Sequence, residues 1–292
     1  MEAASPNAVI PAFVNPGAGN AAAIDDTLRR AGAFEVTKVA PNRMTQAARD
    51  AIDRGATRLL AVGGDGSVST VAAAVAGTDV ELAILPAGTF NHFARDYGIP
   101  TDYRAACDVA RSGRVIRADV AWVNERLFLN TSSVGVYANY VRVRERWEPR
   151  LGYWLASAWA MARTFARAQP FRISFETEQM ERGYVTPLVF IGLGERELKL
   201  PTLGNRVDHG GPGLHVLIVR GRTRARLVAL AFAAAARGTR ATSRTPHLDG
   251  FLVDHCIIEQ RHSTVAVDGE VVRLESPLRY RIGRGALRLV VP

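Results

Sequence analysis

Short apolar runs alternate with amphipathic stretches over the first part of the chain. Val9 to Val14 is apolar and stops at Asn15-Pro16-Gly17, which reads as a buried strand meeting a turn. Asn20 to Ala31 has helical spacing, with Asn20 placed to cap it and Gly32 to end it. Phe34 to Val39 reads as a strand, and Thr45 to Arg54 as a helix capped by Thr45 and stopped by Gly55. Arg58 to Val62 is a further apolar strand that runs straight into Gly63-Gly64-Asp65-Gly66. Ser67 to Ala76 is helical, and Val80 to Leu85 is a strand ending at Pro86. Strands alternating with helices of about ten residues predict a parallel sheet covered on both faces.

After about residue 118 the pattern changes. Val115 to Val123, Arg126 to Val134, Arg172 to Glu176, Leu188 to Leu193, Leu214 to Val219, Val253 to Gln260 and Thr264 to Val267 read as strands, several without an intervening helix. That succession predicts a second domain built on antiparallel sheet. Two helices interrupt it, Leu151 to Phe165 and the Ala-rich Arg226 to Ala236, and Ala286 to Val291 closes the chain as a strand. In the first of these helices Leu151, Leu155, Ala158, Ala162 and Phe165 share one face, which is expected to pack on the domain. Its aromatics, Tyr153, Trp154, Trp159 and Phe165, and the nearby Arg150, Arg163 and Arg167 also suit a helix lying on lipid. The expected division is an α/β domain over 1–119 and a β-rich domain over 120–283, with the segment 284–292 packing back on the first.

The chain has 292 residues, enough for two domains with cores of their own. Its formal net charge is +9, and Lys38 and Lys199 are its only lysines, so the excess is arginine. Such a surface attracts polyanions, and it also follows from a compositional bias toward Ala, Arg, Gly and Val. No nucleic-acid-binding motif accompanies the charge, so a nucleic-acid partner is not expected. Two cysteines without metal-ligand spacing imply no disulfide framework and fit a reducing, cytoplasmic compartment. The N-terminus lacks the features of a secretory signal, and no apolar run reaches membrane-spanning length. Any bilayer is therefore expected to be met from its inner surface, peripherally.

Three glycine-bearing loops follow three predicted strands: Asn15 to Gly19, Gly63 to Ser67, and Pro86 to Asn91. In a parallel sheet these loops share the edge at the carboxyl ends of the strands, where ligands of open α/β folds bind. Glycine lets backbone approach a ligand, and the helix after Gly66 points free N–H groups at the loop, so phosphate is the expected ligand. Asp65 beside phosphate makes sense if a divalent cation bridges the two or if it orients a reacting hydroxyl. Thr89 and Asn91 add neutral donors and acceptors. Asp268-Gly269-Glu270, read alone, is an ordinary hairpin turn, and its carboxylates could also bind metal or accept a proton. No G-x-x-x-x-G-K-[ST] loop is present, which excludes a P-loop enzyme.

Taken together, Asn15-Pro16-x-Ala18-Gly19, GGDGS at 63–67, PAGTFNHFARDYGIP at 86–100, Asp119 before Asn130-Thr131-Ser132-Ser133-Val134-Gly135, and VDGE at 267–270 resemble the diacylglycerol kinase catalytic-domain family, in the bacterial branch also similar to sphingosine kinases. The resemblance implies a Rossmann-like α/β domain, a C-terminal antiparallel β-sandwich, and an active site in the cleft between them. It implies an ATP- and Mg²⁺-dependent kinase acting on a lipid hydroxyl at a membrane surface, and it leaves a homodimer open. Carried over by position, Asn15, Gly19, Gly63, Gly64, Gly66, Ser67, Gly88, Thr89 and Asn91 would hold the nucleotide. Asp65 would act through magnesium or the reacting groups, Asp119 would lie in or behind the site as a metal candidate, and Asp268, Glu270 or Asp65 would accept the proton. Two positions depart from the family pattern. Ser67 stands for the usual threonine, and His92 stands where many relatives carry aspartate, either to meet phosphate or to cap the turn. VDHGGPGLHV at 207–216 is similar to a segment associated with a structural metal, at altered spacing, and no ligands are assigned there. The rival readings are an NAD kinase, which shares GGDG, and a non-catalytic lipid- or nucleotide-binding protein.

Overall fold

The computed structural model describes residues 9–167, 169–198, 203–207, 210–220, 248–260 and 264–292. The chain forms two compact units, Met1–Val120 with Gly283–Pro292, and Ala121–Ile282. The predicted helix over Arg226 to Ala236 and the arginines at 222, 224 and 226 lie outside the described residues.

The first unit runs β1 (Ile10–Val14), α1 (Ala21–Ala31), β2 (Phe34–Lys38), α2 (Pro41–Asp53), β3 (Arg58–Gly63), α3 (Asp65–Val75), β4 (Glu81–Pro86), α4 (His92–Asp96), α5 (Tyr103–Ser112) and β5 (Arg114–Val123). The end of the last strand, β18 (Leu278–Val291), returns to it. The lateral order is β2-β1-β3-β4-β18, and each neighbouring pair is parallel. Both faces of β3 and β4 are buried, which accounts for their unbroken apolar runs. Leu60, Val62, Ala83 and Leu85 join Ile24 and Leu28 of α1 and Ala106 and Ala110 of α5 in one core cluster. Asn20 caps α1 by accepting from the Ala23 N–H at 3.2 Å, and Gly32 ends the helix.

Helix α2 begins four residues before the predicted start. Pro41 occupies its first turn, where a missing N–H costs nothing. Thr45 is no cap: its hydroxyl donates to the Thr70 carbonyl in α3.

The second unit contains β6 (Arg126–Phe128), β7 (Thr131–Gly135), α6 (Val136–Ala166), β8 (Phe171–Glu176), β9 (Glu181–Thr186), β10 (Leu188–Leu193), β11 (Arg196–Leu198), β12 (Leu203–Arg206), β13 (Leu214–Val219), β14 (Leu248–Val253), β15 (His255–Gln260), β16 (Thr264–Val267) and β17 (Glu270–Arg273). One antiparallel sheet has the order β14-β13-β10-β7-β16-β17. A second antiparallel set joins β9, β8, β15 and the first residues of β18. Side chains from both, among them Val189, Ile191 and Val216 from one and Phe175, Ile258 and Tyr280 from the other, form a single core. This is a sandwich packed face to face. The expected strand over Arg126 to Val134 is broken at Leu129 and Asn130, for a reason that belongs to the site.

Helix α6 starts fifteen residues before the expected Leu151. It carries Pro149 and a non-helical Gly152 at φ 70°, ψ 165°, so it consists of two arms joined at a sharp break. Trp147 and Trp159, which a straight helix would hold about 18 Å apart along its axis, have ring centroids 6.5 Å apart.

Both cysteines are free and buried. Burial, reinforced by the neighbouring Asp108, pushes the Cys107 thiol up to about 11, and burial alone pushes Cys256 up to about 12. A raised thiol pKa leaves almost no thiolate at mildly alkaline pH. An aromatic disulfide reagent is therefore expected to titrate neither thiol in the native protein and both after denaturation. Rapid reaction of the native protein would contradict this packing.

Candidate functional site

The order β2-β1-β3-β4 reverses direction between β1 and β3. In an open parallel sheet such a switch point opens a crevice at the carboxyl ends of the two strands. Those ends are Val14, leading into Asn15-Pro16-Gly17, and Gly63, leading into Gly64-Asp65-Gly66. The loop after β4 lies at the same edge, because β3 and β4 pair in parallel up to Gly63 and Pro86.

The three loops are tied together. The Asn15 amide donates to the Ser67 hydroxyl at 3.2 Å, and its carbonyl oxygen accepts the Gly17 N–H at 3.0 Å. The Ala87 N–H donates to the Gly63 carbonyl at 2.8 Å. Gly64 and Gly88 touch backbone to backbone: a Cβ on Gly64 would lie 3.1 Å from the Gly88 Cα, and one on Gly88 would overlap the Gly64 Cα. Glycine is required at both by this approach alone. Asn91 is buried and left-handed at φ 50°, and it holds its own turn by accepting from the Gly88 N–H and donating to the Gly88 carbonyl.

A cleft of about 440 Å³ opens on these loops. Asn15, Gly19, Gly64, Gly88, Thr89 and Asn91 line it, together with Gly17, Thr101 and Tyr103. Its size suits a small-molecule ligand. Gly63, Asp65, Gly66 and Ser67 stand in the loop and first turn of α3. The cap of α3, Gly64, offers no side chain to the first N–H groups of that helix, leaving them to a ligand. No charged residue lines the cleft among the described residues. An anion here would be held by N–H groups and the dipole of α3. Thr101 and Tyr103 escaped the sequence reading. Tyr103 lies within the first turn of α5, whose cap Asp102 accepts from the Ala105 N–H, and that capping pattern was the available signal.

The Asp65 carboxylate meets the start of α4. Its Oδ2 accepts the His92 N–H and its Oδ1 the Phe93 N–H, both at 3.1 Å. One carboxylate thereby ties the β3 loop to the β4 loop and caps a helix that starts at a left-handed residue. His92 contributes its backbone to this bond, while its ring stacks on Phe90 with centroids 5.5 Å apart. Asp119, on β5, accepts the Gly285 N–H at 2.8 Å. No cluster of three or more His, Cys, Asp or Glu able to hold a metal occurs among the described residues. Asp208 and His209 of the metal-like segment lie outside those residues.

Asp268 and Glu270 belong to the second unit. Asp268 and Gly269, at φ 46° and 88°, are the two central residues of the β16–β17 hairpin, a turn that needs both angles positive. The Asp268 carboxylate accepts three N–H groups, from Leu129 and Asn130 at 2.8 Å and Thr131 at 3.0 Å. These bonds hold the irregular step that separates β6 from β7. Glu270 is half-exposed and pairs with Arg126 at 2.6 Å. Asn130, beside Asp268, is buried, and its side-chain oxygen has no hydrogen-bond partner.

Residues 10–123 match the family model for the diacylglycerol kinase catalytic domain. A protein from Cronobacter sakazakii named "Probable lipid kinase YegS-like" is 36% identical over 109 residues, which are 35% of this chain and 36% of that protein. A diacylglycerol kinase from Mycobacterium tuberculosis is 30% identical over 171 residues, 55% of this chain and 50% of its own. The matches thus span half or less of these relatives' lengths. A crystal structure of a diacylglycerol kinase from Bacillus anthracis superposes with a TM-score of 0.69, covering 97% of this chain and 96% of that one at 19% identity, a likeness of fold. The segment of this chain that is similar to the diacylglycerol kinase catalytic domain, residues 10–123, therefore contains all three glycine loops.

Proposed function

We propose that this protein is an ATP- and Mg²⁺-dependent kinase that phosphorylates a hydroxyl of a lipid. The observation that carries the reading is the glycine cradle at the β1/β3 switch point, inside the segment that matches the kinase family. The residues there fit a nucleotide phosphate chain: the backbone of Gly64 and Gly88 approaches without side chains, α3 presents unshared N–H groups, and Asn15, Thr89 and Asn91 offer neutral hydrogen bonds. ATP, when bound, supplies the phosphoryl group, and Mg²⁺ offsets its charge. Magnesium keeps waters and uses one or two carboxylates beside phosphate oxygens, so a carboxylate cage is not required. Asp65 is the carboxylate of this loop and would hold the metal through the lone pairs that its two N–H bonds leave, with Asp119, which accepts one N–H, as a second candidate.

Of the two carboxylates in the second unit, Glu270 is the better proton acceptor. Asp268 already receives three N–H groups, whereas Glu270 is half-exposed with one ion pair. A general base needs an accessible lone pair within reach of the hydroxyl.

The test is a transfer assay with γ-labelled ATP, Mg²⁺ and a bacterial lipid extract in mixed micelles, with NAD in parallel tubes. A labelled lipid, no labelled NADP, and no product from the Asp65→Ala variant are expected. That variant also loses two hydrogen bonds to a charged acceptor, each worth about 1.5–3 kcal/mol, so its folding is checked by circular dichroism and its ATP affinity is measured directly. Labelled NADP without labelled lipid would transfer the protein to the NAD kinases, and a fully active, folded Asp65→Ala would refute the role of Asp65.

A further inference from the structure

Helix α6 has its polarity reversed after the break at Gly152. The residues turned inward are small: Ala156, Ala160 and Thr164 are buried, and Ser157 is half-buried. The large apolar residues point outward: Trp154 is 71% exposed, Leu155 65%, Trp159 47% and Leu151 39%. After the break, Trp154, Leu155 and Trp159 with the exposed Ala158 and Ala162 follow i, i+1, i+4, i+5, i+8 spacing, a continuous apolar stripe on the solvent face, and Leu151 stands exposed beside it at the end of the first arm. The sequence pattern had assigned this stripe to packing on the domain, and the structure places it outside. Four of the nine exposed large apolar residues among those described fall in nine positions of one helix. Scattered single exposures are ordinary, and a contiguous patch is not.

The surroundings of the stripe are cationic. Arg142, Arg146 and Arg150 are exposed on the arm before the break, and Arg163 and Arg167 at the end of the arm after it. Residues 136–167 carry six arginines against two glutamates. Tryptophan suits the headgroup boundary, with an apolar ring and one N–H, and arginine extends its apolar stem along such a surface while its charge meets lipid phosphate. A second copy of this chain would bring the same arginines face to face, which like-charge repulsion disfavours. No helix among the described residues is long and apolar enough to cross a membrane, so contact through this helix lies along the surface.

The geometry points to the stripe Trp154, Leu155 and Trp159, with Leu151 beside it and its arginine border, as the surface by which this protein docks on an anionic bilayer. The inference deepens the lipid-kinase reading and rests on it for its purpose. Its test is independent of catalysis.

Full-length protein is sedimented with sucrose-loaded vesicles of phosphatidylcholine, or of a two-to-one mixture with phosphatidylglycerol, without nucleotide. Binding to the mixed vesicles is expected to exceed binding to phosphatidylcholine and to weaken with salt. A Trp154→Ser, Leu155→Ser double variant should bind about tenfold more weakly, with an unchanged thermal midpoint because both side chains are exposed. An Arg146→Gln, Arg163→Gln pair should lose the preference for phosphatidylglycerol. Phosphorylation of a short-chain, water-soluble diacylglycerol should be equal in all variants. Equal vesicle binding by wild type and double variant would overturn the docking surface while leaving the kinase reading standing. A wild-type dimer that the double variant splits, without vesicle binding by either, would assign the stripe to a second copy and overturn the proposal. Stripe-dependent binding by a protein that phosphorylates no acceptor would keep the docking surface and sink the kinase reading.

Discussion

Gly88→Ala is expected to abolish nucleotide binding and to destabilise the protein. The new Cβ overlaps the Gly64 Cα, and a second contact awaits it 3.0 Å away at the Asn91 Oδ1. Neither neighbour can yield cheaply. Gly64 is backbone at the cap of α3, and Asn91 is held by two bonds to Gly88 itself. The β4 loop must move off the β3 loop, which opens the cradle and strains the bonds from Asp65 to His92 and Phe93. Overpacking of this kind costs about 1–3 kcal/mol, visible as a lower denaturant midpoint. The loss of ATP affinity should be the larger effect, since phosphate contacts depend on positions good to fractions of an ångström. Gly183→Ala is the control: a Cβ there meets nothing within 4 Å, so stability should stay within about 0.5 kcal/mol. Wild-type ATP affinity in Gly88→Ala would show that the two loops do not form the nucleotide cradle.

Asp268→Ala is expected to be among the most damaging single changes in the second unit. It strips the acceptor from Leu129, Asn130 and Thr131 together, and the first two residues are buried. An unsatisfied buried donor costs about 1–3 kcal/mol, so a loss of about 3–5 kcal/mol follows for the set, at the upper end for point substitutions. Asp268→Asn keeps one side-chain oxygen and should fall between. Glu270→Gln, two residues away, should behave in the opposite way. Its stability should change by less than about 1 kcal/mol, as for an exposed ion pair, while phosphoryl transfer falls steeply. Chemical denaturation and initial rates on the same three variants separate the structural carboxylate from the chemical one. A stable Asp268→Ala would show that its three hydrogen bonds carry little weight.

Much of this arrangement was legible in the residues, and the exceptions share a cause. Strands β1, β3 and β4 announce themselves as short apolar runs with buried ends, β1 stopping at Val14 before Asn15-Pro16-Gly17, β3 at Gly63 and β4 at Pro86. The glycine loops are visible for the same local reason. The switch point is not, because the lateral order of strands is a property of pairing between distant segments. The first arm of α6 was missed since its arginines and glutamates hide the helical period, and the second arm was recognised with its buried face inverted. Small residues such as Ala156 and Ala160 can seat a helix closely, so apolar periodicity identified the stripe without saying which side it faced. The anchoring role of Asp268 is invisible locally: its partners lie 137 to 139 positions earlier. The two bonds of Asp65, reaching 27 and 28 positions ahead, are hidden in the same way.

Backbone N–H groups of the three loops are expected to hold nucleotide phosphate, and hydrogen exchange reads those groups directly. Amide exchange would be followed by mass spectrometry with and without ATP and Mg²⁺, with peptides resolving 15–19, 64–68 and 87–93. Slowed exchange in all three on adding nucleotide, absent in Gly88→Ala, is the predicted result. Bound ATP that leaves these three segments unprotected would place the nucleotide elsewhere and contradict the assignment of the site.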